Sequence, residues 1–155
     1  MTATIDARLA ELGITLPEAA APVANYRPVI QTGNLLIVSG QLPLVDGELL
    51  YTGKLGADVS QQQGSEAARA CLINVVAQVK AALKGDLSRV RRVVRLGGFM
   101  ACTPDFTNHA VVMNGASDLS VAIFGESGAH ARSTVGVPSL PLDAPVEIEA
   151  IIEVA

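Results

Sequence analysis

Apolar and polar residues alternate near the C-terminus of the chain. Every second position from Val146 to Val154 is apolar, and Glu147, Glu149 and Glu153 occupy three of the positions between them. A period of two predicts a β-strand, because successive side chains of a strand point to opposite faces of a sheet. The strand should therefore have one apolar face toward a core and one face that carries glutamates.

A proline-containing segment separates this strand from another predicted strand at residues 132–137. Pro138, Pro141 and Pro145 restrict the backbone and favour an ordered turn. The pattern predicts that this turn returns the last strand beside residues 132–137. Arg132 and one of the glutamates would then approach each other across the sheet.

Two segments have the spacing and the caps of helices. Residues 3–12 carry apolar residues at helical intervals and are followed by Gly13, a typical C-terminal cap. Residues 60–83 give the clearest helix, because one continuous apolar stripe runs along them. Ser60 or Asp58 can cap the start of this helix. The segment between the two helices begins with a connector rich in proline and alanine.

Strands separated by turns are predicted next. A hairpin should form from two strands joined by Gly33-Asn34, and Gly40 should end its second strand. The predicted strands before the last quarter of the chain are residues 26–32, 35–39, 49–52 and 88–100.

A second long helix is predicted at residues 105–124, with a less regular apolar stripe that Asn114-Gly115 interrupts. The order is then helix, three strands, helix, strand, helix, two strands. This order predicts an α+β fold, with one mixed sheet and both long helices on one face. The other face of the sheet would be partly apolar and would need a cover.

Composition limits the classes of function. A chain of 155 residues is most simply one domain, and a net charge of −4 argues against a nucleic-acid partner, which clustered Lys and Arg would bind. Half of the residues are hydrophobic while few are charged, which suggests that apolar surface is buried between subunits. No leader sequence and no membrane-length apolar run is seen, so a cytoplasmic protein without a membrane partner is expected. Cys71 and Cys102 form no CxxC pattern and are read as free thiols.

Few residues are candidates for chemistry. Arg132 has the planar fork of donors that suits a carboxylate, but a surface arginine paired with a glutamate explains it as well. Glu147 can orient a water or carry a proton, or it can simply lie on a solvated strand face. His109 and His130 have no third residue at ligand spacing, so a metal site is not expected.

Three separated motifs carry a resemblance to a known family. In the first motif, the segment ARSTVGV at 131–137 leads through LP at 140–141 to VEIEA at 146–150. In the second, Tyr26 precedes GN at 33–34 and SGQ at 39–41. The third is Asn114, which lies before the first motif. This arrangement resembles the Rid family of reactive intermediate deaminases, also called YjgF-like or endoribonuclease L-PSP. The resemblance covers residues 24–155, whereas residues 1–23 form a separate helix and connector. The long segment before Arg132 is similar to a longer branch of that family.

The resemblance implies a fold and a chemistry. The fold would be chorismate-mutase-like, in a homotrimer whose sheets surround a barrel-like centre and whose ligand clefts lie between subunits. The activity would be hydrolysis of 2-imino acids, or their enamine tautomers, to 2-keto acids and ammonia, without a cofactor. Arg132 and Glu147 would be catalytic. The substrate-binding residues would be Tyr26, Ser39, Gly40, Asn114 and Thr134.

One departure from the family pattern concerns Thr134, because many members carry a cysteine two residues after the arginine. Threonine keeps a hydrogen-bonding group and lacks the thiol, which bears on substrate preference. Two other functions stay open at this point. One is a trimeric protein that captures a small carboxylate through Arg132 without turnover, and the other is a ribonuclease, which the acidic charge disfavours.

Overall fold

The computed structural model describes residues 2–22 and 24–155 and contains three α-helices and seven strands in these ranges. In chain order they are α1 (Ile5–Glu11), β1 (Val29–Thr32), β2 (Leu35–Gln41), β3 (Leu44–Val45), β4 (Glu48–Leu49), α2 (Gln61–Ala82), β5 (Val90–Ala101), α3 (His109–Phe124), β6 (Ala131–Val137) and β7 (Val146–Val154). Short 3₁₀ turns lie at Leu87–Arg89, Gly125–Gly128 and Pro141–Asp143.

Five strands form the main sheet, in the order β1-β2-β7-β5-β6. β6 pairs with β5 in parallel, and the other neighbours are antiparallel. α2 and α3 pack against each other and against this sheet, while β3 and β4 form a separate two-stranded hairpin. The predicted α+β class, with a mixed sheet and two long helices on one face, is confirmed.

β7 occupies the middle of the sheet, as its strict alternation suggests. Val146, Ile148, Ala150, Ile152 and Val154 are all buried against the helices. Because side chains alternate along a strand, the glutamates between them face the opposite side of the sheet. The two predicted faces of this strand are therefore confirmed.

The predicted partner of β7 is wrong. β7 pairs with β2 and β5, and β5 separates it from β6. A parallel pair needs a long crossover, and α3 supplies it between β5 and β6. β6 therefore forms an edge of the sheet beside β5, and the proline-containing turn carries the chain past β5 to its other side.

The caps and close contacts of the helices follow from their sequence. Ser60 caps α2 through a reciprocal pair of hydrogen bonds with Gln63. The Asn114-Gly115 pair does not interrupt α3. A Cβ at Gly115 would lie 2.0 Å from the backbone oxygen of Ser65, so the missing side chain lets α2 and α3 approach closely.

Three predicted element boundaries are corrected. β1 begins at Val29 rather than at residue 26, because Pro28 has no N–H to donate to the neighbouring strand. β2 continues through Gly40 to Gln41, with an irregularity in its pairing with β7 between Val38 and Gln41. α3 begins at His109 rather than at residue 105.

The sheet face away from the helices has no cover within the described part of the chain. Ile30, Ile37 and Val135 have 47%, 39% and 47% of their surface exposed. Exposed apolar side chains on one face of a sheet are typical of a contact surface between subunits.

Candidate functional site

Arg132 is the second residue of the edge strand β6, and its side chain points toward α3. Its Nη1 donates hydrogen bonds of 2.9 Å to the Asn114 Oδ1 and to the Ser117 Oγ. Its Nη2 donates a longer bond of 3.4 Å to the Ala110 backbone oxygen. One helix therefore fixes the guanidinium at the edge of the sheet.

A relay behind Arg132 was not predicted from the sequence. The His130 Nδ1 donates to the Gly128 backbone oxygen at 2.6 Å, so in the neutral ring its Nε2 is an acceptor. The Ser117 hydroxyl lies 2.9 Å from this Nε2 and donates to it, which directs an oxygen lone pair toward Arg132. Ser117 follows Asn114 by three residues on α3, and this helical spacing was the only sequence signal for it.

Thr134 lies two residues further along β6 on the same face as Arg132. A Cβ added at the paired Gly98 would lie 3.5 Å from the Thr134 Cγ2. Asn114, Arg132 and Thr134 thus form one group on the helix side of the edge strand, which we call the arginine half-site.

Glu147 lies on the opposite face of the sheet, in β7. The backbone of Gly40 in β2 borders it so closely that a Cβ at Gly40 would lie 2.2 Å from the Glu147 Oε1. Partial burial, and secondarily the neighbouring Glu149 charge, raise the pKa of the Glu147 carboxyl above its ordinary value. A carboxyl with a raised pKa is better matched to proton transfer near neutral pH.

Ser39 and Tyr26 lie on the same side of the molecule as Gly40. The Ser39 hydroxyl donates to the Arg27 backbone oxygen at 2.9 Å, and its N–H donates to the Pro28 oxygen at 2.9 Å. These bonds fasten the segment that carries Tyr26, which is 48% exposed. Tyr26 and Gly40 border a common cavity of about 140 Å³. We call Tyr26, Ser39, Gly40 and Glu147 the glutamate half-site.

The two half-sites do not meet within one chain. Arg132 and Glu147 lie on opposite faces of the sheet, in strands that β5 separates. Their expected approach across the sheet is therefore wrong, because it depended on a pairing of β6 with β7. The glutamate row instead contains an ion pair of 3.6 Å between Arg95 and Glu149.

Other classes of site receive no support from the described residues. Across residues 2–22 and 24–155, no three side chains of His, Cys, Asp or Glu are grouped as metal ligands. In the same ranges, no helix combines the length and the apolar character needed to cross a bilayer.

Comparison with known proteins gives a consistent picture. A family model described as "YjgF/chorismate mutase-like, putative endoribonuclease" matches residues 6–153. Protein TCP17 of Trypanosoma cruzi is 51% identical over 150 residues, which cover 96% of this chain and 93% of that protein. The 2-iminobutanoate/2-iminopropanoate deaminase of Escherichia coli K12 is 37% identical over 142 residues, which cover 89% and 94%.

Solved structures fall at two levels of similarity. A protein of unknown function from Agrobacterium tumefaciens is 52% identical, with a TM-score of 0.92 over 97% of this chain and 92% of the other. The YjgF gene product of Escherichia coli is 32% identical, with a TM-score of 0.61 over 88% and 93%. The fold is therefore shared with both, and the geometry is much closer to the first.

Proposed function

Because this chain belongs to the YjgF-like family, also called Rid or endoribonuclease L-PSP, we propose that it hydrolyses reactive 2-imino acids. The products would be 2-keto acids and ammonia, and enamine tautomers of the imines would react in the same way. The name of the Escherichia coli relative supports this reaction class. The chemistry of the two half-sites supports it independently, since one can hold a carboxylate and the other can move a proton.

The observation that carries the proposal is the separation of the half-sites. A site that needs both Arg132 and Glu147 must take them from two copies of the chain. Two different patches of one chain that bind each other make a head-to-tail contact, which closes into a ring when the rotation permits. A homotrimeric ring of this kind would cover the exposed Ile37 and Val135 on the open face of the sheet and would enclose a barrel-like centre.

Arg132 is prepared to bind the substrate carboxylate. Its guanidinium has five N–H groups, of which three are used on α3. The Nε–H and one Nη2–H have no partner among the described residues. Two parallel hydrogen bonds from these groups would fix the carboxylate and with it the C2 carbon of the imine.

Glu147 from the adjacent subunit would then direct hydrolysis. A water oxygen attacks C2 of the imine, protonated on nitrogen, while the carboxylate accepts one of the water protons and the C=N electron pair moves to the nitrogen. The same carboxyl gives this proton to the amine, the C–N bond breaks as ammonia leaves, and the carboxylate takes the hydroxyl proton as the C=O bond of the keto acid forms. The backbone around Gly40 and the side chains of Tyr26, Ser39 and Thr134 would line the remaining pocket and order the water.

A coupled assay tests this function. A dehydratase generates 2-iminopropanoate or 2-iminobutanoate, and decay of the imine is followed with and without the protein. Acceleration is expected, together with its loss in Arg132→Ala and in Glu147→Gln. If a keto acid binds to the protein and the imine decays at the uncatalysed rate, the protein is instead a carboxylate-binding protein. Degradation of an added RNA would favour the ribonuclease function.

A further inference from the structure

Cys102 and His109 form a pair outside both half-sites. Cys102 follows β5 directly, and His109 is the first residue of α3. The Cys102 Sγ lies 3.6 Å from the His109 Nε2, which is hydrogen-bonding distance for sulfur. Both residues are partly exposed and border a cavity of about 490 Å³. The mechanism proposed above uses neither of them.

Gly136 keeps this pair open to the cavity. A Cβ at this position of β6 would lie 2.6 Å from the Cys102 Sγ and 2.8 Å from the His109 Nε2. Gly136 does not have a positive φ, so the backbone conformation does not require glycine here. The missing side chain instead leaves space directly beside the sulfur and the ring nitrogen.

The surroundings of the pair favour a negatively charged ligand. Lys54 borders the same cavity, and no carboxylate is found among its described lining residues. The cavity also lies at the N-terminus of α3, where the backbone N–H groups carry partial positive charge. Asn108, the N-cap residue of α3, makes no side-chain cap bond, and its amide donates to the Gln61 Oε1 at 3.0 Å.

We propose that Cys102 and His109 form a second reactive site, which binds covalently to small electrophiles that carry a carboxylate. α,β-Unsaturated acids are the natural ligand class. The His109 Nε2 accepts the thiol proton, because the thiolate is the reactive form. The sulfur then forms a bond with the β-carbon, the C=C electron pair moves to the α-carbon, and that carbon takes the proton back from His109. Lys54 holds the carboxylate at the cavity wall.

Alkylation with two reagents of different charge tests the site on the intact protein. Iodoacetate and iodoacetamide both form a sulfur–carbon bond and release iodide, and they differ in the carboxylate. The rate of modification of each cysteine is measured by mass spectrometry of peptides. Cys71 serves as an internal control for folding, because it is fully buried and burial raises the pKa of its thiol well above the ordinary value.

Five results are expected. Cys102 reacts near neutral pH while Cys71 does not, and the rate ratio of iodoacetate to iodoacetamide exceeds that of a free cysteine peptide. His109→Gln slows both reagents about tenfold, since an unassisted thiol is only a few per cent thiolate at pH 7. Lys54→Gln slows iodoacetate alone. Gly136→Ala slows both reagents because its Cβ fills the space beside the sulfur.

Two results would overturn the proposal. One is a Cys102 that reacts no faster than the free peptide while Cys71 stays protected. The other is a rate in His109→Gln equal to that of the parent. If His109→Gln exposes Cys71, and therefore does not fold, Gly136→Ala and Lys54→Gln decide the question in its place. Retention of imine hydrolysis in Cys102→Ser would show that this site is independent of the proposed function.

Discussion

Mixing two inactive variants tests whether the active site lies between subunits. Arg132→Ala would remove the two hydrogen bonds that we propose to the substrate carboxylate, each to a charged group and worth roughly 1.5–3 kcal/mol. A loss of about 10²-fold or more in kcat/KM follows from these values. Glu147→Gln keeps the shape of the side chain and cannot accept a proton, which costs about 10²–10⁴-fold for a positioned acid–base group.

The expected recovery in the mixture follows from the separation of the half-sites. In a ring, each site takes Arg132 from one copy and Glu147 from its neighbour. A site in a mixed ring is intact when the copy that supplies Arg132 carries Glu147→Gln and the copy that supplies Glu147 carries Arg132→Ala. With equal amounts and random assembly, roughly one quarter of the sites are intact. The mixture should therefore regain about a quarter of the parental activity, far above either variant alone.

The assay uses co-expressed or jointly refolded chains, so that the rings assemble from a mixed pool. Separately folded variants that are combined without exchange provide the control and should stay inactive. Equal activity in the two preparations, with mixed rings confirmed by mass spectrometry, would refute the assignment of the half-sites to different copies. Arg132 and Glu147 would then have to meet within one chain, against the strand order described above.

Three further predictions rest on individual contacts. Val135→Asp on the open sheet face should dissociate the proposed trimer in light scattering, while Val121→Asp on α3, of nearly equal exposure, should not; a monomeric parent would disprove the ring. Ser117→Ala removes the oxygen between His130 and Arg132 and should raise KM about fivefold, from ~1 kcal/mol of hydrogen bonding, with little change in kcat; an unchanged KM would exclude the relay. The third measurement uses an Arg132→Ala background, so that the Arg132 of a neighbouring copy does not act on Glu147. There the raised pKa of Glu147 means that its carboxyl holds a proton more tightly in the folded chain than in the unfolded chain. Stability should therefore fall as pH rises from below about 4.5 through the raised pKa, and Glu147→Gln should reduce this fall in urea titrations; identical pH profiles would contradict it.

Local patterns in the sequence were sufficient to define most elements. The apolar stripe and the Ser60 cap place α2 within one residue of its observed start, because helix periodicity and capping act over a few neighbouring residues. The alternation in β7 also assigns Glu147 to the face away from the core, because the direction of a side chain in a strand depends only on its position. The predicted element boundaries that were wrong lie near Pro28, Gly40 and Asn108. Pro28 delays the start of β1, an irregular pairing with β7 accompanies the continuation of β2 through Gly40, and α3 starts after Asn108 without a side-chain cap.

Only the tertiary structure decided which strands are neighbours and which functional groups meet. No local pattern in β6 or β7 encodes that β5 lies between them, since strand order depends on the crossover through α3. That order puts β5 between Arg132 and Glu147, and the register of β6 on β5 turns Arg132 to the helix face, away from Glu147, although both were candidates from the sequence. The same long-range packing creates the Ser117–His130 relay and the Cys102–His109 pair, whose members come from different elements and meet only when α3 packs against the sheet.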